Sequence, residues 1–283
     1  MMKEFEYSDE DIQISLFIEA IKMKYGYDFK DYSRAHIKRR IRNRLEKSDF
    51  KNIMELTHQV IISDVFFREV LLDFSINVTA MFRDPDFFKY LRINVIPMLE
   101  SYPLIKIWHA GCSSGEEVYS MAIFLKECGL YDRCQIYATD FNSNIIDKAK
   151  AGIYSLEAIK EYTKNYNLAG GNQSFSDYYV AKYDNAILQV DLKRKIVFAE
   201  HNLVTDGSFG EMNLIICRNV MIYFEKTLQN RVNRLFMNSL VKGGYLCLGS
   251  KETLAFSDVA ENFETLSEEF KVYRKFMNVM ETE

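Results

Sequence analysis

A loop of small residues ending in two acids, Gly111-Cys112-Ser113-Ser114-Gly115-Glu116-Glu117, follows the apolar segment 105–110 and opens a stretch of helical periodicity. A strand, a glycine loop and a helix start in that order form a seat for a ligand. Gly111 and Gly115 let the backbone come close, and the first helical N–H groups point at whatever binds. The G-x-G-x-x-G spacing of dinucleotide sites is missing, and two carboxylates would repel a pyrophosphate. They suit a ligand carrying an ammonium and a sulfonium. Acids at a helix start also complement its dipole, which is the purely structural alternative.

Asp140 ends the next apolar segment, Ile136-Tyr-Ala-Thr-Asp140, 25 residues after Gly115. An acid there is placed to accept both hydroxyls of a ribose. Asp at a strand end is equally a common turn residue, so the weight lies in its pairing with the preceding loop. Together they point to an adenosine-containing cofactor. A third block, Cys217-Arg-Asn-Val-Met-Ile-Tyr-Phe224, follows the apolar segment 214–217. Ligands of open α/β sheets lie beyond the carboxyl ends of the strands, where Asn219 and Tyr223 fall. A turn Asn and a packed Tyr are the plainer reading of the same residues.

These three sites need a frame. Short apolar segments at 105–110, 136–139, 196–199, 214–217 and 245–248 alternate with helical stretches near 116–128, 143–151 and 225–241. That alternation predicts an α/β, Rossmann-like parallel sheet covered by helices, with a last strand at 271–276. Residues 152–195 break the rhythm: a helical lead-in, Gly170-Gly171, then strand-like segments at 178–181 and 186–190. They read as a small antiparallel β insertion at about 174–195. Residues 10–75 lack Pro, contain only Gly26 and space Ile37, Ile41 and Leu45 as one helix face. The predicted domains are therefore an all-helical domain over 1–75 and a larger domain over 76–283.

Composition narrows the class. Hydrophobic residues make up 48% of 283 residues, enough for a large core, and the net charge of −4 argues against a polyanion binder. Five cysteines without a C-x-x-C pair argue against a disulfide framework or a zinc site and for a reducing cytosol. No apolar run reaches a membrane span of about 18 residues. The polar, acidic start does not read as a signal peptide. A cytoplasmic, metal-free monomer is expected.

The blocks carry a resemblance. Asn77, Thr79 and Arg83 in an Asn-x-Thr-x-x-x-Arg pattern, the Gly-Cys-Ser-Ser-Gly-Glu-Glu loop, Ala-Thr-Asp140 and Cys-Arg-Asn-Val-Met-Ile-Tyr-Phe occur in the order and spacing of CheR-type chemotaxis-receptor glutamate methyltransferases. The chain resembles that family over nearly its whole length. The resemblance implies S-adenosylmethionine as cofactor, leaving as S-adenosylhomocysteine. It also implies a cofactor site of Asn77, Thr79, Arg83, Gly111, Glu117, Asp140, Asn202, Leu203, Asn219 and Val220. Asp140 would hold the ribose and Glu117 the amino acid end, with Arg83 and Tyr223 nearest the transferred methyl as catalytic residues. The chain departs from the family pattern at Met81, His109, Val118 and Lys251, where Phe, Ser, Pro and Ser or Thr are usual. Members whose insertion binds a receptor tail carry a longer, Gly-containing turn than Lys182-Tyr-Asp-Asn185, so the tether-independent branch is the better match.

Between Arg34 and Lys47 stand seven Lys/Arg and one acid, Glu46. Such a run is often only a solvated face. By the resemblance, Lys38, Arg39, Arg40, Arg42 and Arg44 would bind the acidic helical segment of a chemoreceptor or other signalling protein. Nucleic acid fits less well, because exposed aromatics are not interleaved with the cations, and no membrane insertion is implied. The function expected is transfer of a methyl group to glutamate side chains of such a protein. Two alternatives are a non-catalytic cofactor-binding scaffold and a same-fold methyltransferase with another acceptor.

Overall fold

A computed structural model describes residues 7–74 and 79–276. The chain divides into two compact units, Met1–Ile76 with Tyr223–Gln229, and Asn77–Ile222 with Asn230–Glu283.

The first unit holds four helices, α1 (Asp9–Tyr25), α2 (Arg34–Glu46), α3 (Ile53–Ile62) and α4 (Asp64–Phe74). Ser8 caps α1 by accepting the Asp11 N–H, and Gly26 ends it at φ 79°, a left-handed turn that costs glycine little. Ile14, Phe17, Ile18 and Ile21 recur at helical spacing and are buried. They meet Leu56 and Val60 of α3, while Phe67, Val70 and Leu71 of α4 complete the core with Ile37 and Ile41 of α2. A fully buried side chain of this size contributes roughly 1.5–3 kcal/mol, so this short bundle has a core of its own. Tyr25 stacks on Phe67 with ring centroids 3.7 Å apart.

The second unit runs α5 (Pro85–Asn94), α6 (Ile96–Leu99), β1 (Ile105–Ala110), α7 (Glu116–Glu127), β2 (Cys134–Asp140), α8 (Ser143–Ala151), β3 (Ile153–Ser155), α9 (Leu156–Leu168), β4 (Tyr179–Lys182), β5 (Asn185–Leu188), β6 (Ile196–Glu200), β7 (Met212–Cys217), α10 (Lys226–Ser239), β8 (Leu240–Leu248), β9 (Phe263–Ser267) and β10 (Val272–Lys275). The first turn of α10 clusters with the helical unit and the remainder with the sheet. Seven strands form one sheet in the order β6-β2-β1-β7-β8-β10-β9. The first five are mutually parallel and β10 lies antiparallel between β8 and β9. β7 is buried throughout, as expected of a central parallel strand covered on both faces. One face packs Ile105 and Ile107 against Val118, Met121 and Leu125 of α7; on the other, Trp108 meets Phe236 of α10 edge to face.

The insertion is larger than its sequence signal. A second, antiparallel sheet has the order β3-β5-β4, and β3 begins at Ile153, ahead of the expected 174–195. Only three residues long, β3 has no readable period, and its partner Ala186 lies beyond an intervening helix. The buried Glu127 carboxylate ties the insertion down, accepting from the hydroxyls of Tyr166 and Tyr178 and from the Asn172 N–H. The β4–β5 turn contains only Tyr183 and Asp184, with Tyr183 at φ 54°.

Candidate active site

Parallel pairing decides where the site residues fall. Ala110 is level with Thr139, Asp140 with Glu200, and His109 with Ile216, so four strands end along one edge of the sheet. Gly111, Asp140, Asn202 with Leu203, and Asn219 with Val220 leave that edge from β1, β2, β6 and β7. The turn after β1 is locked to β2: the N–H groups of Gly111 and Cys112 both donate to the Thr139 carbonyl at 2.8 Å. Gly111 has φ 77°, and a Cβ there would sit 2.5 Å from Val220 Cγ2. Glycine therefore lets two expected cofactor residues from different strands close on one another. Gly115 serves packing too, since its Cβ would lie 3.0 Å from Ala149 of α8.

Asp140 is 8% exposed and accepts the N–H groups of Ser113 at 3.0 Å and Asn142 at 3.1 Å. Burial raises its pKa to about 6 although these backbone bonds, with that of Phe141, favour the charged form. Its carbonyl receives the His201 N–H at 3.1 Å, which brings the Asn202-Leu203 segment beside it. Asn202 in turn braces its own loop, its Oδ1 accepting the Val204 N–H at 2.9 Å.

The two acids of the glycine loop separate. Glu116 turns toward the insertion, where Ser114 Oγ donates to it at 2.7 Å and Tyr162 OH at 3.5 Å, and lines a cavity of about 390 Å3 with Tyr154 and Lys148. The expectation of paired carboxylates facing one ligand therefore reduces to Glu117. Burial pushes the Glu117 pKa up, but His109 and Arg218 outweigh it and the net shift is downward. Arg218 Nη1 lies 2.9 Å from Glu117 Oε2. His109 Nδ1 is 3.4 Å from Oε1, within ion-pair distance yet off line for a hydrogen bond, and both ring nitrogens are buried without a hydrogen-bond partner among the described residues.

Arg218 escaped the sequence reading although it stands in the Cys-Arg-Asn block. Its side chain is 4% exposed, pairs with Asp84 as well as Glu117, and lies 4.2 Å over the Phe87 ring. Its Nη1 also reaches the Arg83 carbonyl at 3.5 Å, so this one guanidinium braces the stretch carrying Arg83. Upstream, the Phe82 N–H donates to Ser120 Oγ and Asn165 Nδ2 to the Met81 carbonyl, fixing the segment after Thr79. Asn77 lies outside the described residues.

Glu252 was also missed. Its buried carboxylate accepts N–H groups from Gly249, Asn219, Val220, Met221 and Ile222 at 2.6–3.3 Å. Arg218 and Glu252 had no local signal: their partners Glu117 and Asn219 stand 101 and 33 positions away.

In the helical unit, Tyr223 accepts the Ser33 N–H on its carbonyl at 2.8 Å, and its ring lies edge to face with His36 of α2 at 4.9 Å. The expected basic surface is partly neutralised. Lys38 and Arg42 both hold Glu10 of α1, while Arg44 pairs with Glu69 and Asp73 of α4. Among the described residues, Arg39 and Arg40 have no carboxylate partner; Arg39 reaches the His36 ring at 3.3 Å.

The residues at this edge fit S-adenosylmethionine: buried Asp140 could accept ribose hydroxyls and the Glu117 carboxylate could meet an ammonium, beside the close Gly111–Val220 approach. The comparisons agree. Residues 12–74 match the CheR methyltransferase all-alpha domain and residues 77–272 the CheR methyltransferase SAM binding domain. A Pseudomonas putida protein named "Putative methyltransferase Cher3" is 49% identical, over 94% of this chain and 97% of that protein. A chemotaxis protein methyltransferase of Borreliella burgdorferi is 30% identical, over 86% of this chain and 88% of its own length. One from Listeria innocua is 30% identical, over 84% and 88%. With this fold, this strand-edge site and these matches, the chain belongs to the CheR methyltransferase family and uses S-adenosylmethionine.

Proposed function

We propose that this protein methylates glutamate side chains of chemoreceptors, or of a related signalling protein, to give glutamyl methyl esters. The observation that carries the reading is the convergence of Gly111, Asp140, Asn202 and Asn219 on one edge of the sheet, with Glu117 and Arg218 bracing the helix start beside it. Bound S-adenosylmethionine supplies an electrophilic methyl group and leaves as the neutral thioether. The glutamate acceptor, with an ordinary pKa of about 4.3, is already an anion at neutral pH and requires no general base. The protein's task is alignment, which in favourable cases supplies roughly 7–11 kcal/mol. Arg83 orients the incoming carboxylate by a charge-assisted bond, and Tyr223 is a second donor near the methyl. Asn77 and Thr79 complete the cofactor site with Leu203 and Val220.

The same reading makes 1–75 the domain that meets an acidic receptor helix, through the face of α2, and 76–283 the methyl-transferring domain. The two-residue turn between β4 and β5 supports a match with tether-independent members. The enzyme works in the cytoplasm as a monomer. The test is mass spectrometry of a receptor signalling domain after incubation with enzyme and cofactor, alongside Arg83→Ala. Methyl groups on glutamate that disappear with the variant support the proposal. Methylation confined to another side-chain type identifies a different acceptor and overturns it.

A further inference from the structure

We infer that Glu252 is a positioning residue for the cofactor site, an internal anion that sets the Asn219–Val220 segment in its binding conformation before any ligand arrives. This role of Glu252 depends on Asn219 and Val220 lining the cofactor site, as proposed above. The segment needs outside support, because four successive N–H groups point inward at the end of β7, where the chain turns through Asn219 at φ 63°, a left-handed conformation that Asn tolerates better than most residues. One carboxylate meets all four. Oε1 accepts from Val220 at 2.9 Å, Met221 at 2.7 Å and Ile222 at 3.3 Å; Oε2 accepts from Asn219 at 3.0 Å and from Gly249 at 2.6 Å. Backbone N–H groups gathered in this way form an anion-binding nest. Here the anion is part of the chain.

The nest has consequences for both neighbours of the site. Glu252 is 4% exposed, so its bonds are shielded from water and strong. Gly249 permits the approach, since a Cβ there would come within 2.7 Å of the Asn219 nitrogen and of Glu252 Oε2. On the opposite side Val220 closes against Gly111. A shift of the 219–222 turn therefore moves Val220 off the glycine loop and turns the Asn219 side chain. The carboxylate touches no substrate; it acts through the loop.

Gln at 252 keeps the shape but turns one oxygen into a donor, so it faces at least two N–H groups with an N–H of its own. Glu252→Gln is expected to weaken S-adenosylhomocysteine binding at least tenfold by calorimetry and to raise the KM for S-adenosylmethionine by a similar factor. At saturating cofactor, kcat changes less than threefold, a split that general loss of structure does not produce. Asn219→Ala is the control for the site assignment. If it leaves affinity unchanged, the cofactor reading of this loop fails; if it weakens binding while Glu252→Gln does not, the role of Glu252 fails. Should the Gln variant not fold, hydrogen exchange on the unaltered protein decides. The amides of 219–222 are expected to be as protected without cofactor as with it. Protection that appears only on adding S-adenosylhomocysteine overturns the inference.

Discussion

Asp140 carries the most direct pH signature of the site. Ribose hydroxyls donate best to a carboxylate, and burial has moved this carboxyl to about 6. S-adenosylhomocysteine affinity is therefore expected to fall as pH drops through about 6, while Asp140→Asn binds weakly at every pH with no step there. Losing the charged acceptor costs on the order of 1–3 kcal/mol. In the cofactor-free protein the linkage runs the other way. The folded-state pKa stands above the unfolded value of about 3.9, so the carboxyl's contribution to stability is present below the unfolded value and is lost as pH rises through about 6. Calorimetric titration and thermal melts across pH 5–8 check both; a flat affinity profile would remove Asp140 from the site. Arg218 makes a different prediction. Truncating Arg218→Ala strands Glu117, while the half-exposed Asp84 is left to water, and breaking a buried pair costs about 3–5 kcal/mol, read as a lower urea midpoint. Unchanged stability would show that the guanidinium bears little of the load. Asp140 was legible because a strand end fixes where an acid must lie. Arg218 and Glu252 were not, since a buried charge is defined by partners that only folding brings near.

Elements were legible where burial makes the pattern uniform. The buried strands β1, β2 and β7 stand out as apolar segments, and α7 and α8 by period and glycine. β3 has three residues, and β9 reads Phe-Glu-Thr-Leu-Ser, too short and too polar to separate from loop. α2 was recognised as a helix with Ile37 and Ile41 inward, but the disposition of its charges was not visible. Glu10, which holds Lys38 and Arg42, comes from a helix about 30 residues earlier. That pairing changes the experiment on substrate capture. Arg42→Glu would break an intramolecular ion pair as well as any recognition, whereas Arg39 has no carboxylate partner among the described residues and tests recognition without breaking an ion pair, at the loss of its contact with the His36 ring. Surface charges are screened over about 8–10 Å at physiological ionic strength, so salt should raise the apparent KM for an acidic receptor helix. Arg39→Glu should raise it further and flatten the salt dependence, with cofactor affinity unchanged. A variant with the wild-type KM and salt profile would make α2 a solvated face.

At the scale of the molecule, the sequence pattern changes near residue 77, but nothing in it marks the fate of 223–229. That stretch follows β7 in sequence yet packs with the helical unit, through Ser33 and His36 onto Tyr223. Its assignment depends on contacts about 190 residues apart, which no local period records. Tyr223 therefore belongs by packing to the unit that carries the basic helix α2, and by sequence to the block that carries Asn219. Transfer to a carboxylate, as proposed above, would form an ester that mild base cleaves. Methyl-labelled S-adenosylmethionine, enzyme and receptor signalling domain are incubated together, and the labelled receptor is treated with mild base. Glutamyl esters release the label as volatile methanol, and release is expected for nearly all of it, with none formed by Arg83→Ala. Label that stays on the receptor through base would contradict the account, because amine and amide methyl groups survive that treatment.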